Sequence, residues 1–111
     1  MIEIFNDIYR VILDRKKAKS KNSYTASLFK KGKGSVLKKV AEEAAEVILA
    51  SRDGKKEEII HETADLWFHT LVLLGYHDIT PEEVYGELRK RQKLCTIHRL
   101  KNLEKRQKKE I

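Results

Sequence analysis

The sequence predicts an all-α fold. Its apolar residues recur at helical rather than alternating spacing, and only one proline and five glycines punctuate 111 residues. A third observation is the run Thr80-Pro81-Glu82-Glu83, which carries the N-cap, first-turn proline and capping-box glutamate of a helix start. A core this small gains from self-association, so the expected architecture is an antiparallel helical bundle completed by oligomerisation.

Ile4, Ile8, Val11 and Ile12, with Phe5 and Tyr9 beside them, predict a first helix over about residues 2–17. A basic, polar break is expected from Lys16 to Lys21. The short segment 23–31 carries Leu28 and Phe29 and ends in a turn at Gly32 and Gly34. Ser35 is the expected N-cap of a second long helix, from Val36 to about Ser51, and Asp53-Gly54 marks the tight turn after it. The third long helix, from about Lys55 to Gly75, opens with Glu57 and Glu58 near the positive end of its dipole.

At about 100° per residue, the apolar side chains of this third helix point nearly all round. Ile59, Leu66 and Leu73 share one direction, Ile60, Trp67, Leu71 and Leu74 a second, and Phe68 and Val72 fill a third. Such a helix must be buried on most sides, and in so short a chain a partner subunit is expected to cover one of them. The last helix is expected to turn Val84, Tyr85, Leu88 and Cys95 inward and then fray. The expected division is a domain over residues 1–92 and a basic tail over residues 93–111.

The formal charge of +7 suggests a nucleic-acid binder until it is located. Ten Lys/Arg fall between Arg89 and Ile111 against Glu104 and Glu110; the rest of the chain holds 14 basic and 15 acidic residues. The body is nearly neutral, and a basic tail is more often a solvated helix end than a specific binding device. The lone Cys95 excludes an intramolecular disulfide and a cysteine-rich zinc site, and is expected as a small buried residue in a reducing compartment. The N-terminus lacks the pattern of a signal peptide, and the stretch Leu66–Gly75 is too short to cross a membrane. A cytoplasmic protein is expected.

Chemistry enters with Glu42-Glu43-x-x-Glu46 on one predicted helix and Glu62-x-x-Asp65 on the next. Residues three apart on a helix are separated by roughly 60°, so the side chains of Glu43 and Glu46 converge, as do those of Glu62 and Asp65. One such pair is common on a solvated face. Here Val36, Val40 and Val47 surround Glu43, and Ile59, Leu66 and Leu73 surround Glu62, which puts both pairs at the margin of apolar faces. Four carboxylates gathered there would repel one another and resist desolvation unless divalent cations compensated them. An all-oxygen set suits magnesium, with manganese as the alternative, and such a site serves phosphoryl or pyrophosphoryl transfer. Glu42, next to it, is the candidate base that orients an attacking water.

Between Asp14 and Lys39 stand ten basic residues and no acid but Asp14. Among them Lys30, Lys38 and Lys39 are candidate phosphate contacts, since a glycine-containing lysine segment leading into a helix N-terminus is suited to phosphates. Lys39 lies roughly 40° from Glu43 around the helix. His61 and His69 flank the second acid pair; His69 is expected as a satisfied core or interface group rather than a ligand.

The run Ser23-Tyr24-Thr25-Ala26-Ser27-Leu28-Phe29, then Gly32, Lys38-Lys39-Val40-x-Glu42-Glu43-Ala44-x-Glu46-Val47 and His61-Glu62-x-Ala64-Asp65-Leu66-x-Phe68-His69, resembles the phosphoribosyl-ATP pyrophosphohydrolases. These belong to the MazG-like, all-α nucleotide pyrophosphohydrolases. The resemblance implies magnesium-dependent hydrolysis of 1-(5-phosphoribosyl)-ATP to 1-(5-phosphoribosyl)-AMP and pyrophosphate, the second step of histidine biosynthesis. It implies Glu43, Glu46, Glu62 and Asp65 as metal ligands, Lys39 and the Ser23, Tyr24, Thr25 segment as substrate contacts, and a homodimer or homotetramer. Ala41 departs from the glycine common in the family, and the tail beyond about Lys93 has no counterpart there. Two alternatives stay open: a MazG-like housecleaning hydrolase of deoxynucleoside triphosphates, and a helical protein binding nucleic acid through its tail.

Overall fold

The computed structural model describes residues 2–17 and 23–110, and among them the chain forms five helices and no strand. Helix α1 spans Ile2–Lys17, α2 Tyr24–Lys31, α3 Lys33–Asp53, α4 Lys56–Tyr76 and α5 Pro81–Glu110. The all-α expectation holds. Most of the basic break expected at Lys16–Lys21 lies outside the described residues, but Lys16 and Lys17 belong to the last turn of α1. Residues Met1–Pro81 form one compact unit and Glu82–Ile111 a second.

The first unit closes on Ile12, Leu28, Val36, Leu71 and Val72, one or two residues from each of α1 to α4, with Phe5, Ile8, Phe29 and Phe68 packed around them. Helices α3 and α4 make its most extensive pairing, and α1 packs on α4. Only Gly54 and Lys55 separate α3 from α4, so two helices that pack side by side must run antiparallel. Gly54 makes the reversal in the left-handed region (φ 72°), and its N–H bonds back to the carbonyls of Ala50 and Ser51.

The join between α2 and α3 differs from expectation. Ser35 is not the cap: α3 begins at Lys33 with Gly32 before it, and Gly34 lies inside the helix rather than in a turn. Gly32 alone does both jobs. Its N–H closes α2 on Leu28 and Phe29, and its carbonyl accepts from Ser35 and Val36 to open α3. A φ of 96° makes that single-residue joint, a conformation open to glycine and strained for other residues.

Gly75 is a close-approach position. A Cβ there would lie 3.2 Å from Ile12 Cγ2 and 3.6 Å from Phe29 Cζ, so α1 and α2 both rest against α4 where it lacks a side chain. Lys16 caps the same end, donating to the carbonyls of Gly75 (2.9 Å) and Tyr76 (3.4 Å) and pairing with Asp78 at 3.0 Å. A cation at a helix C-terminus compensates both the orphan carbonyls and the dipole.

The buried stripe of α1 runs through Tyr9 and Ile12, while Ile4 and Val11 are exposed. On α4, Leu71 and Val72 are buried, whereas Trp67 is 54% and Ile60 59% exposed. Helix α5 departs furthest from expectation. It does not fray at the tail but continues through Glu110, and Val84, Leu88 and Cys95 are exposed rather than inward. No helix among the described residues is long and apolar enough to cross a membrane.

Candidate functional site

The acidic residues lie on the paired helices α3 and α4. On α4, His61, Glu62 and Asp65 place their ligand atoms within 4.8 Å of one another, and His61 Nε2 is 3.4 Å from Asp65 Oδ2. Glu43 and Glu46 of α3 stand outside that tight group but act on Glu62 through their charge. Partial burial raises the pKa of Glu62 above its ordinary 4.5, and the charges of Asp65, Glu46 and Glu43 raise it further against an opposing contribution from His61.

Burial within the set is uneven. Glu43, Glu62 and Asp65 are half-buried, and Glu46 is exposed. Oxygen donors concentrated at a partly desolvated margin fit a hard divalent cation, magnesium or manganese in type. His61 is an addition to the sequence reading. Its signal was the i, i+4 spacing to Asp65, which places it on the same helix face.

Glu42 is held by two lysines. Lys38 Nζ is 3.9 Å from one of its oxygens and Lys39 Nζ 3.5 Å from the other, and Lys39 also lies 3.7 Å from Glu43. Partial burial works to lower the Lys39 pKa, yet the Tyr24 hydroxyl and the Glu42 carboxylate outweigh it and raise the pKa above its ordinary 10.5. Lys38 is largely exposed, so its pair with Glu42 is worth little. Lys30 is exposed on the last turn of α2.

The Ser23–Thr25 segment forms the start of α2. Ser23 is its N-cap, the hydroxyl accepting from the Ala26 N–H at 3.2 Å, and Ser27 Oγ donates to the Tyr24 carbonyl. Thr25 is half-buried. Tyr24 reaches across to α4, its hydroxyl 2.9 Å from His69 Nε2. His69 is buried and hydrogen-bonded, as expected of it, but its partner is 45 positions away and gives no local sequence signal.

Comparison with known proteins gives the chain a family. The family model described as phosphoribosyl-ATP pyrophosphohydrolase matches residues 5–92, which include every residue of the acidic group and of the Ser23–Lys39 region. The chain is 61% identical over 89 residues to the phosphoribosyl-ATP pyrophosphatase of Geobacter metallireducens, covering 80% of this chain and 82% of that one. It is 63% identical over 89 residues to the protein of the same name from Geobacter sulfurreducens, with the same coverage. Against the Chromobacterium violaceum phosphoribosyl-ATP pyrophosphatase it is 49% identical over 90 residues, 81% of this chain and 83% of the relative. A single match spanning both acid pairs and the segment that faces them leaves one assignment: the chain belongs to the phosphoribosyl-ATP pyrophosphohydrolase family.

Proposed function

We propose that this chain hydrolyses 1-(5-phosphoribosyl)-ATP between its α and β phosphates, releasing pyrophosphate and 1-(5-phosphoribosyl)-AMP in histidine biosynthesis. The observation that carries this reading is the convergence of Glu43 and Glu46 from α3 on Glu62 and Asp65 of α4, in a chain of this family.

Glu43, Glu46, Glu62 and Asp65 would hold magnesium, with manganese as a substitute. When bound, the metal would neutralise charge on the phosphate oxygens and lower the pKa of an attacking water. Glu42 accepts the proton of that water, and Lys39 is the lysine that steadies its carboxylate beside the acidic group. Lys39, half-buried at the margin of the group, donates to a phosphate oxygen, and Lys38 and Lys30 add positive charge further out. Ser23, Tyr24 and Thr25 line the approach from α2, where Ser23 works chiefly by holding the turn through its cap.

The assembly is a homodimer or homotetramer. Ile60 and Trp67 lie seven residues apart and Leu37 and Ile48 eleven apart, each pair about 20° apart around its helix, and all four are exposed. Two apolar stripes on the paired helices suit a second copy of this chain. The enzyme acts in the cytoplasm, where its nucleotide substrate would be made, and needs no nucleic acid or membrane.

Side-by-side turnover of phosphoribosyl-ATP and the common deoxynucleoside triphosphates, read as pyrophosphate release, tests the substrate. Phosphoribosyl-ATP should be preferred by orders of magnitude. A clear preference for the deoxynucleotides would replace this reading with a housecleaning hydrolase.

A further inference from the structure

His69 stands apart from the other polar side chains. It is 6% exposed, sits in the middle of α4 and takes no part in the chemistry proposed above. Both ring nitrogens nevertheless have partners at 2.9 Å: Nδ1 meets the backbone carbonyl of Asp65, and Nε2 meets the hydroxyl of Tyr24. A carbonyl can only accept, so Nδ1 carries the hydrogen. In the neutral ring Nε2 is then the acceptor, and Tyr24 must donate to it.

The direction of that bond bears on Lys39 as well. With its proton committed to His69, the Tyr24 oxygen is left with lone pairs, and the hydroxyl favours the charged form of Lys39. Tyr24 thus donates to His69, and His69 to the backbone of Asp65. These two bonds tie α2 to α4. Phe68 and Tyr24 both meet the His69 ring edge to face, at centroid distances of 5.3 and 5.9 Å, which limits the ring to one orientation.

We infer that His69 is a positioning residue for the nucleotide site: through Tyr24 it sets the start of α2 against α4, beside the acidic group. Helix α2 has eight residues, too few to be stable without tertiary contacts, so those contacts decide where its first turn stands. Ala26 and Leu28 are its buried residues, and the Tyr24 ring is itself 53% exposed. The hydroxyl-to-imidazole bond is therefore the polar tie that locates the first turn, and with it Ser23 and Thr25. This inference rests on the functional reading above for the meaning of the site, but the hydrogen-bond chain itself does not depend on it.

The test uses the full chain and three variants. His69→Leu removes both bonds, and His69→Gln restores an acceptor where Nε2 stood. Tyr24→Phe deletes the hydroxyl and keeps the ring. His69→Leu should raise KM for phosphoribosyl-ATP about tenfold, the order expected for loss of one hydrogen bond in a site, with kcat changed far less. His69→Gln should recover most of that loss. The double variant Tyr24→Phe/His69→Leu should be no worse than the more severe single one, because both cut the same link.

Additive losses, or an unchanged KM in a folded His69→Leu, would overturn the inference and leave His69 a packing residue. A second measurement is independent of turnover. Imidazole nitrogen NMR on the substrate-free protein should show hydrogen on Nδ1 and a bare Nε2, and the Nε2 resonance should shift in Tyr24→Phe. No shift there sinks the positioning role even if the wild-type enzyme is fully active. A wild type that ignores phosphoribosyl-ATP but shows the shift would instead remove the functional reading and keep the tie.

Discussion

The unit Met1–Pro81 and the helix that follows it handle charge in opposite ways. In the first unit, acids and lysines are brought into one another's range: Lys39 reaches Glu42 and Glu43, Lys16 closes the end of α4, and Glu62 is crowded by three other carboxylates. Along α5 the ten basic residues after Leu88 far outnumber the acids, and Leu88, Leu94, Ile97, Leu100 and Leu103 are exposed between them. The first unit buries a core contributed by four helices; the 30-residue α5 extends about 45 Å. The comparison teaches that the positive excess of the chain belongs to the part of α5 beyond Leu88 and says nothing about the site, whose distinctive property is a surplus of negative charge at a partly buried margin.

The contrast breaks first at the acids. On the proposed metal-binding role of these carboxylates, Glu43→Gln or Asp65→Asn should cut pyrophosphate release by more than about a hundredfold. Far-UV circular dichroism should remain that of an all-α protein. A fully active variant in magnesium would show that these carboxylates are surface charge, no different in kind from those of α5.

Lys39→Met comes next in size. It removes the cation nearest the acidic group, and turnover should fall about tenfold or more, while magnesium binding followed by calorimetry survives. Wild-type kinetics would mean that Lys39 serves only its neighbouring carboxylates.

A third comparison asks which apolar surface would hold the proposed subunits together. Ile60→Lys with Trp67→Lys should lower the mass in solution, measured by light scattering. Truncation after Leu88 should leave mass and turnover within about twofold, since nothing in α5 beyond that point is assigned a catalytic role. The opposite pattern would transfer the interface to α5. Strongly salt-dependent nucleic-acid binding lost on truncation would give that helix a separate partner.

The smallest effect concerns Glu62. Its folded-state pKa lies above the ordinary 4.5, so the folded chain binds this proton more tightly than the unfolded one. Stability from this group is therefore fully present below about 4.5 and is lost as pH rises through the raised value. In a chelator at neutral pH, Glu62→Gln should melt slightly higher than wild type, and the difference should vanish in acid. Magnesium should narrow or reverse it at neutral pH. A variant that melts lower than wild type in the chelator would show that the crowding of carboxylates does not strain the fold.

Much of this site was legible along the chain because its spacing is helical. Glu43 with Glu46, and Glu62 with Asp65, are neighbours on any α-helix, and the Gly54 turn makes two such helices face each other. The reading of α3's start failed at Ser35 because one glycine at φ 96° serves two helices, and a serine is only the stronger cap where the chain has to change direction before it. Cys95, Val84 and Leu88 were misplaced for another reason. Apolar spacing identifies a face that could be covered, and whether anything covers it depends on residues far away in the sequence.

What the sequence determined by itself was the helical class, the order of the helices and the family, all of which follow from local periodicity and from residues within a few positions of one another. Tertiary structure alone decided that carboxylates of two helices raise the pKa of Glu62, that Gly75 is where α1 and α2 rest on α4, and that Tyr24 is tied to His69. The reason is physical. A helix repeats its geometry every few residues, so its faces can be computed from spacing. The approach of one helix to another is set by side chains from different helices, as far as 45 positions apart for Tyr24 and His69, and no period in the sequence encodes that pairing.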